Sequence, residues 1–129
     1  MEQHNAKTFL LENGVNKAMI DTICQIIRET LYMGTDSVVP ATFEGKCVQD
    51  TDRLDAIGAI GIARAFAYGG NHGRLIHHPD IMPNIDVGAN EYISCQSTCI
   101  NHFHEKLFLL AKLMNTPTAK KMQYKEKTI

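Results

Sequence analysis

The densest chemistry in this sequence lies in Asp50-Thr51-Asp52-Arg53-Leu54-Asp55, three carboxylates and a guanidinium within six residues. They open a segment that then runs apolar or glycine from Ala56 to Ala63 and regains charge only at Arg64. Asp52 and Asp55 lie three apart, on one helical face, and Asp52 is expected on the side that continues into a buried half. A carboxylate drawn into such a helix requires a cation, a metal or several donors, because burying it unpaired is costly. The bland alternative is an intrahelical network in which Arg53 pairs with Asp50 or Gln49 and Asp55 faces water; such charge runs usually form solvated faces.

Other constellations carry less. Cys95-x3-Cys99-x2-His102 aligns three zinc-compatible ligands on one helical face. Structural zinc wants four ligands, usually from two elements, so the two cysteines are read as core. His77-His78-Pro79-Asp80 falls in a loop and reads as solvent-exposed. Gly69-Gly70-Asn71-His72-Gly73-Arg74 has neither phosphate-loop nor dinucleotide spacing. Arg64 and Arg74 are candidates for contact with a substrate phosphate, although salt bridging or solvation is the commoner fate of such arginines.

The elements that must position these groups are helical. Apolar residues recur at three- and four-residue steps, and no alternation is long enough for a half-buried strand. The expected helices are 4–12 with Phe9 and Leu10 inward, 16–32 capped by Asn16, and 43–68 closed by Gly69-Gly70. A fourth covers 91–114, and a last one starts with Thr116 as N-cap and Pro117 at N1. Gly58 and Gly61 weaken the third helix, which suggests close approach of a neighbour. Met19, Met114 and Met122 read as core filler. At 129 residues, with 44% hydrophobic and 21% charged residues, the chain has room for one all-α domain.

Composition also excludes. Thirteen Lys+Arg against fourteen Asp+Glu leave a net charge of -1, with no cationic field for nucleic acid and no basic excess for anionic lipid. Met1 to Asn5 is not a signal peptide, and the longest apolar run is far short of the ~20 residues that cross a bilayer. Four irregularly spaced cysteines do not make a disulfide framework. A reduced, cytoplasmic protein is expected.

Val48-Gln-Asp-Thr-Asp-Arg-Leu-Asp-Ala-Ile-Gly-Ala-Ile-Gly-Ile-Ala-Arg-Ala-Phe-Ala-Tyr-Gly-Gly70 resembles the HD-domain superfamily of metal-dependent phosphohydrolases. It is most similar to a small bacterial-type subgroup with Gln-Asp-Ala-Asp-Arg-Leu-Asp-Ala at this place. Ile100-Asn-His-Phe-His-Glu-Lys-Leu107 and Leu113-Met-Asn-Thr-Pro-Thr-Ala-Lys-Lys121 resemble the same subgroup, so the similarity covers about Lys7 to Lys121.

The resemblance implies a divalent metal held by a lone His, a His-Asp pair and a later Asp, the last falling on Asp52. Such a metal polarises a phosphoryl oxygen and activates water. No His-Asp dipeptide occurs here, and the family places those ligands upstream of the segment resembling Ala6 to Leu10. Residues 1–129 are therefore read as the carboxy-terminal portion of an HD-like helical bundle. Asp52 is then a metal and catalytic residue, Arg64 and Arg74 are substrate contacts, and three of four metal ligands are absent. The implied substrate is a phosphorylated small molecule or nucleotide, with weak or no turnover by this chain alone. Two alternatives stay open: a non-catalytic helical module that forms a homo-oligomer, and a half-site completed by another chain.

Overall fold

The computed structural model describes residues 2–85, 87, 88, 90 and 97–126. It is all-α: among the described residues there are six helices and no strand. Helix α1 (Glu2–Glu12) and α2 (Lys17–Thr30) form an antiparallel hairpin. The turn works because Gly14 takes φ 72°, allowing its N–H to reach Leu11 O and the Val15 N–H to reach Leu10 O. Asn16 caps α2, its Oδ1 accepting from Met19 N at 2.9 Å.

After a single 3₁₀ turn (Gly34–Asp36), Thr42 caps α3 (Phe43–Ile57) by accepting from Gly45 N at 3.0 Å. The expected continuous helix 43–68 is broken. Gly58 adopts φ -76°, ψ 169°, and α4 (Ala59–Asn71) starts afresh beyond it. The break folds α4 back so closely that a Cβ on Gly61 would strike the Asp55 and Ala56 carbonyls. The neighbour that Gly61 accommodates is thus the end of its own preceding helix.

Helix α5 (99–112) is capped by Thr98 and combines two α segments around a π turn, Phe103–Leu107. It runs antiparallel to α4: Gly69 abuts Cys99 Sγ, and the Phe66 and Phe103 ring centroids are 5.7 Å apart. Of the expected helix 91–114, residues 91–96, including Cys95 and Ile93, lie outside the described residues. Helix α6 (Pro117–Glu126) begins as expected, with Thr116 Oγ1 accepting from Ala119 N at 3.2 Å.

Ile20, Cys24, Leu107, Leu110, Met114 and Ala119 are buried and form the core. Three expectations about burial are overturned. Phe9 faces solvent rather than the core, because α1 packs chiefly on α2. Met19 and Met122 are exposed, and only Met114 of the three methionines fills the core. The apolar half of α4 is not surrounded: Ile60 is 77% exposed, and Ala59, Ala63 and Ala67 are exposed with it.

The polar residues of α3 do the holding. Gln49 is fully buried; its Nε2 donates to Glu29 O (2.7 Å) and Val38 O (2.9 Å), and its Oε1 accepts from Asn115 Nδ2 (2.9 Å). Asp50 accepts at Oδ1 from Asn115 N and Nδ2 (2.8 and 2.9 Å) and at Oδ2 from Thr116 N (2.7 Å). Arg53 reaches Leu113 O rather than Asp50 or Gln49, capping the carboxyl end of α5. These three side chains tie α3 to the end of α2 and to the α5–α6 turn.

Candidate functional site

Because α4 and α5 are antiparallel, side chains one helical turn apart on each face one another across a trough. Arg64 and Tyr68 line it from α4, His102 and Lys106 line it from α5, and Arg74 comes from the loop after α4. The trough is a cavity of about 430 Å³, a size ordinary for a small-molecule site. The π turn matters here, since it sets the register in which His102, Glu105 and Lys106 share the cavity wall.

Charge in the cavity is unbalanced. Among the described residues, Arg64, Arg74 and Lys106 meet a single lining carboxylate, Glu105, whose Oε1 already accepts from Asn84 N (2.9 Å) and Ser97 Oγ (2.8 Å). Arg74 lies over the Tyr68 ring, 5.4 Å from its centroid, and the His72 ring stacks on Tyr68 at 3.8 Å. Burial pushes the Lys106 ammonium below its ordinary value; Asp52 opposes that shift and Arg64 adds to it. Burial also pushes the His102 imidazole down, with Lys106 and Arg74 acting in the same sense and Glu105 against them.

The candidate residues named by sequence divide. Arg64 and Arg74 share the cavity, and Arg64 also pairs with Asp55 at 2.7 Å, an exposed bridge with side chains 61% and 55% accessible. Asp52 is exposed on α3 and is not on the cavity wall, contrary to its expected place on a buried side. Its charge nonetheless acts on Lys106 and Arg53, opposing the downward shift that burial imposes on each. The buried carboxylate of the segment is Asp50, two residues earlier and on the opposite face.

Sequence reasoning weighed His102 only as a zinc-compatible ligand beside the cysteines and passed over Lys106. The available signal was the i, i+4 spacing of His102 and Lys106, which puts both on one face of a helix. Cys99 is buried against Gly69 as core, His77 is exposed, and His78 lies 3.9 Å from Asp80; Cys95 lies outside the described residues. Among the described residues, no group of three or more His, Cys, Asp or Glu is arranged to hold a metal ion. No helix among them is long and apolar enough to cross a membrane.

No family model matches the sequence. The chain is 35% identical over 111 residues to the uncharacterized protein YpgQ of Bacillus subtilis, covering 84% of this chain and 46% of YpgQ. A protein of known structure from Lactobacillus plantarum is 41% identical, with a TM-score of 0.86 over 93% of this chain and 59% of its own. An HD-superfamily hydrolase from Bacillus thuringiensis is 38% identical, with a TM-score of 0.60 over 96% of this chain and 54% of its own. The crystal structure of YpgQ in complex with ADP gives 32% identity and a TM-score of 0.68 over 98% and 54%. The fold is therefore HD-like, and the chain spans about half the length of the curated relative it matches.

Proposed function

We propose that this chain is part of a metal-dependent phosphohydrolase of the HD superfamily, acting on a phosphate ester or nucleotide. Its own share of the site is the surface that holds the phosphate. The observation that carries the reading is the cationic cavity between α4 and α5, with Arg64 and Arg74 as the phosphate contacts. Guanidinium groups suit that role because they donate in a fixed fork that matches phosphate oxygens. The likeness to an HD-superfamily hydrolase and the capture of ADP by YpgQ support the ligand class.

Asp52 is the proposed metal ligand of this chain. The described residues do not fit a complete divalent-metal site, since no group of three or more His, Cys, Asp or Glu converges among them. Hydrolysis is accordingly expected to be poor or undetectable with the 129-residue chain. Elemental analysis, followed by assays of nucleotides and phosphomonoesters with manganese present, tests both points. A stoichiometric metal ion with turnover abolished by Asp52→Ala would overturn the expectation of inactivity. Failure to bind any phosphate compound would overturn the phosphate-site reading.

The exposed stripe Ile60, Ala63, Ala67 on α4 favours a second reading, a helical module that self-associates or completes its site with another chain. Sedimentation of the wild type and of Ile60→Lys decides it. A dimer lost on substitution supports this reading, and a monomer in both removes self-association.

A further inference from the structure

The antiparallel pairing of α4 and α5 gives the trough a direction. Gly69 meets Cys99 at one end, and Phe66 meets Phe103 further along. Continuing that register puts Arg64 across from Lys106, and Tyr68, with Arg74 over its ring, across from His102. The trough thus has two cationic stations, Arg64–Lys106 at the end where Arg64 bridges Asp55, three residues after Asp52 on α3, and Arg74–His102 beyond.

We infer that the two stations hold successive phosphates of a nucleoside diphosphate, with Lys106 contacting the terminal one, at the α3 end of the trough. This rests on reading the cavity as a phosphate site and adds a residue and an orientation to it. Three features support the assignment. Lys106 sits on the cavity wall with its ammonium 5.6 Å from the Tyr32 ring centroid, a contact that steadies the side chain without neutralising it. Glu105, the one lining carboxylate among the described residues, is already engaged by Asn84 and Ser97. Arg64 is held by an exposed bridge to Asp55, weak enough for a phosphate to displace it. Two like charges on facing helices are unfavourable when empty and favourable when an anion lies between them.

Calorimetric titration of the whole chain with ADP, AMP and pyrophosphate tests the inference. Lys106→Gln is expected to weaken ADP binding about ten-fold or more and AMP binding much less, as loss of one charge-assisted contact implies. Lys106→Arg is expected to retain most of the ADP affinity. A footprint on the wild type guards against a variant that does not fold: ADP should shield Lys106 from acetylation, and AMP should shield it less. Equal loss of ADP and AMP affinity in Lys106→Gln, or no shielding by ADP, overturns the assignment while leaving the phosphate site standing. A wild type that binds neither ADP nor pyrophosphate overturns both.

Discussion

Asp50 and Asp52 sit two residues apart on one helix and have opposite fates. Asp50 is 3% exposed and accepts three hydrogen bonds from the α5–α6 turn; Asp52 is exposed. Two positions on a helix are about 200° apart, so one face can be wholly committed to architecture while the other is left for chemistry. A buried carboxylate that accepts three hydrogen bonds is a fastening, with little of its acceptor capacity left to offer a cation. The exposed one is positioned by the same fastening at no cost to itself. The contrast extends to Gln49 and Arg53, which share the buried duty with Asp50.

The sharpest way to break this contrast is at Asp50. Asp50→Ala leaves Asn115 N and the buried Thr116 N without an acceptor and takes from Asn115 Nδ2 one of its two, Gln49 Oε1 remaining. A loss of about 3–5 kcal/mol is expected, read as a lower urea midpoint, because unsatisfied buried donors bear their full desolvation penalty. Asp50→Asn retains an acceptor and is expected to cost less. A loss below about 1 kcal/mol for Asp50→Ala would put Asp50 among ordinary surface carboxylates.

Much of this architecture is legible in the sequence, and the parts that are not share a cause. The caps at Asn16 and Thr116-Pro117 are local chemistry, so residue type and position predict them. The break at Gly58 is not local: a glycine within helical periodicity looks the same whether the helix continues or turns back. The exposure of Ile60 follows from that turn, since an apolar run says what a face prefers and not whether a neighbour exists to cover it. Likewise Gln49 and Asp50 read as polar surface until partners 20 and 65 residues away come into view. Arg64 and Arg74 could be named individually as candidates, but the trough that joins them to Lys106 and His102 is a tertiary fact.

A second, smaller effect sharpens the comparison at the hinge between the two faces. Gly61→Ala places a methyl against the Asp55 and Ala56 carbonyls, backbone atoms that cannot swing aside. We expect a loss of about 2–3 kcal/mol by urea titration, in the range of overpacking strain. A neutral result would mean that α3 and α4 can separate, and the register of Arg64 against Lys106 with them.

On the cavity side the expected effect is smaller again. The His102 imidazole is pushed below its ordinary value, first by burial and then by Lys106. Between that depressed value and the ordinary value of about 6.5, the unfolded chain holds the proton and the folded one does not. Folding stability is therefore complete above about pH 6.5 and declines as the pH falls through that window. Because His102 is half-buried, the slope should be worth under about 1 kcal/mol. Melting temperatures from pH 7.5 to 5 measure it, and His102→Gln should flatten the curve.

The least effect on stability is expected at Asp52, and that is why it is informative. Asp52→Asn keeps the shape of the side chain and removes a charge that accepts none of the bonds fastening α3 to α5 and α6. Its loss is expected to move stability by no more than about 0.5 kcal/mol, as for an ordinary surface site. Melting curves of wild type, Asp52→Asn and Asp50→Asn, recorded side by side, put the two faces on one scale. Near-identity of wild type and Asp52→Asn beside a clear deficit in Asp50→Asn leaves Asp52 with no structural reason to be a carboxylate. A deficit at Asp52 comparable to that at Asp50 would instead make it part of the same fastening, and its negative charge would need no ligand to account for it.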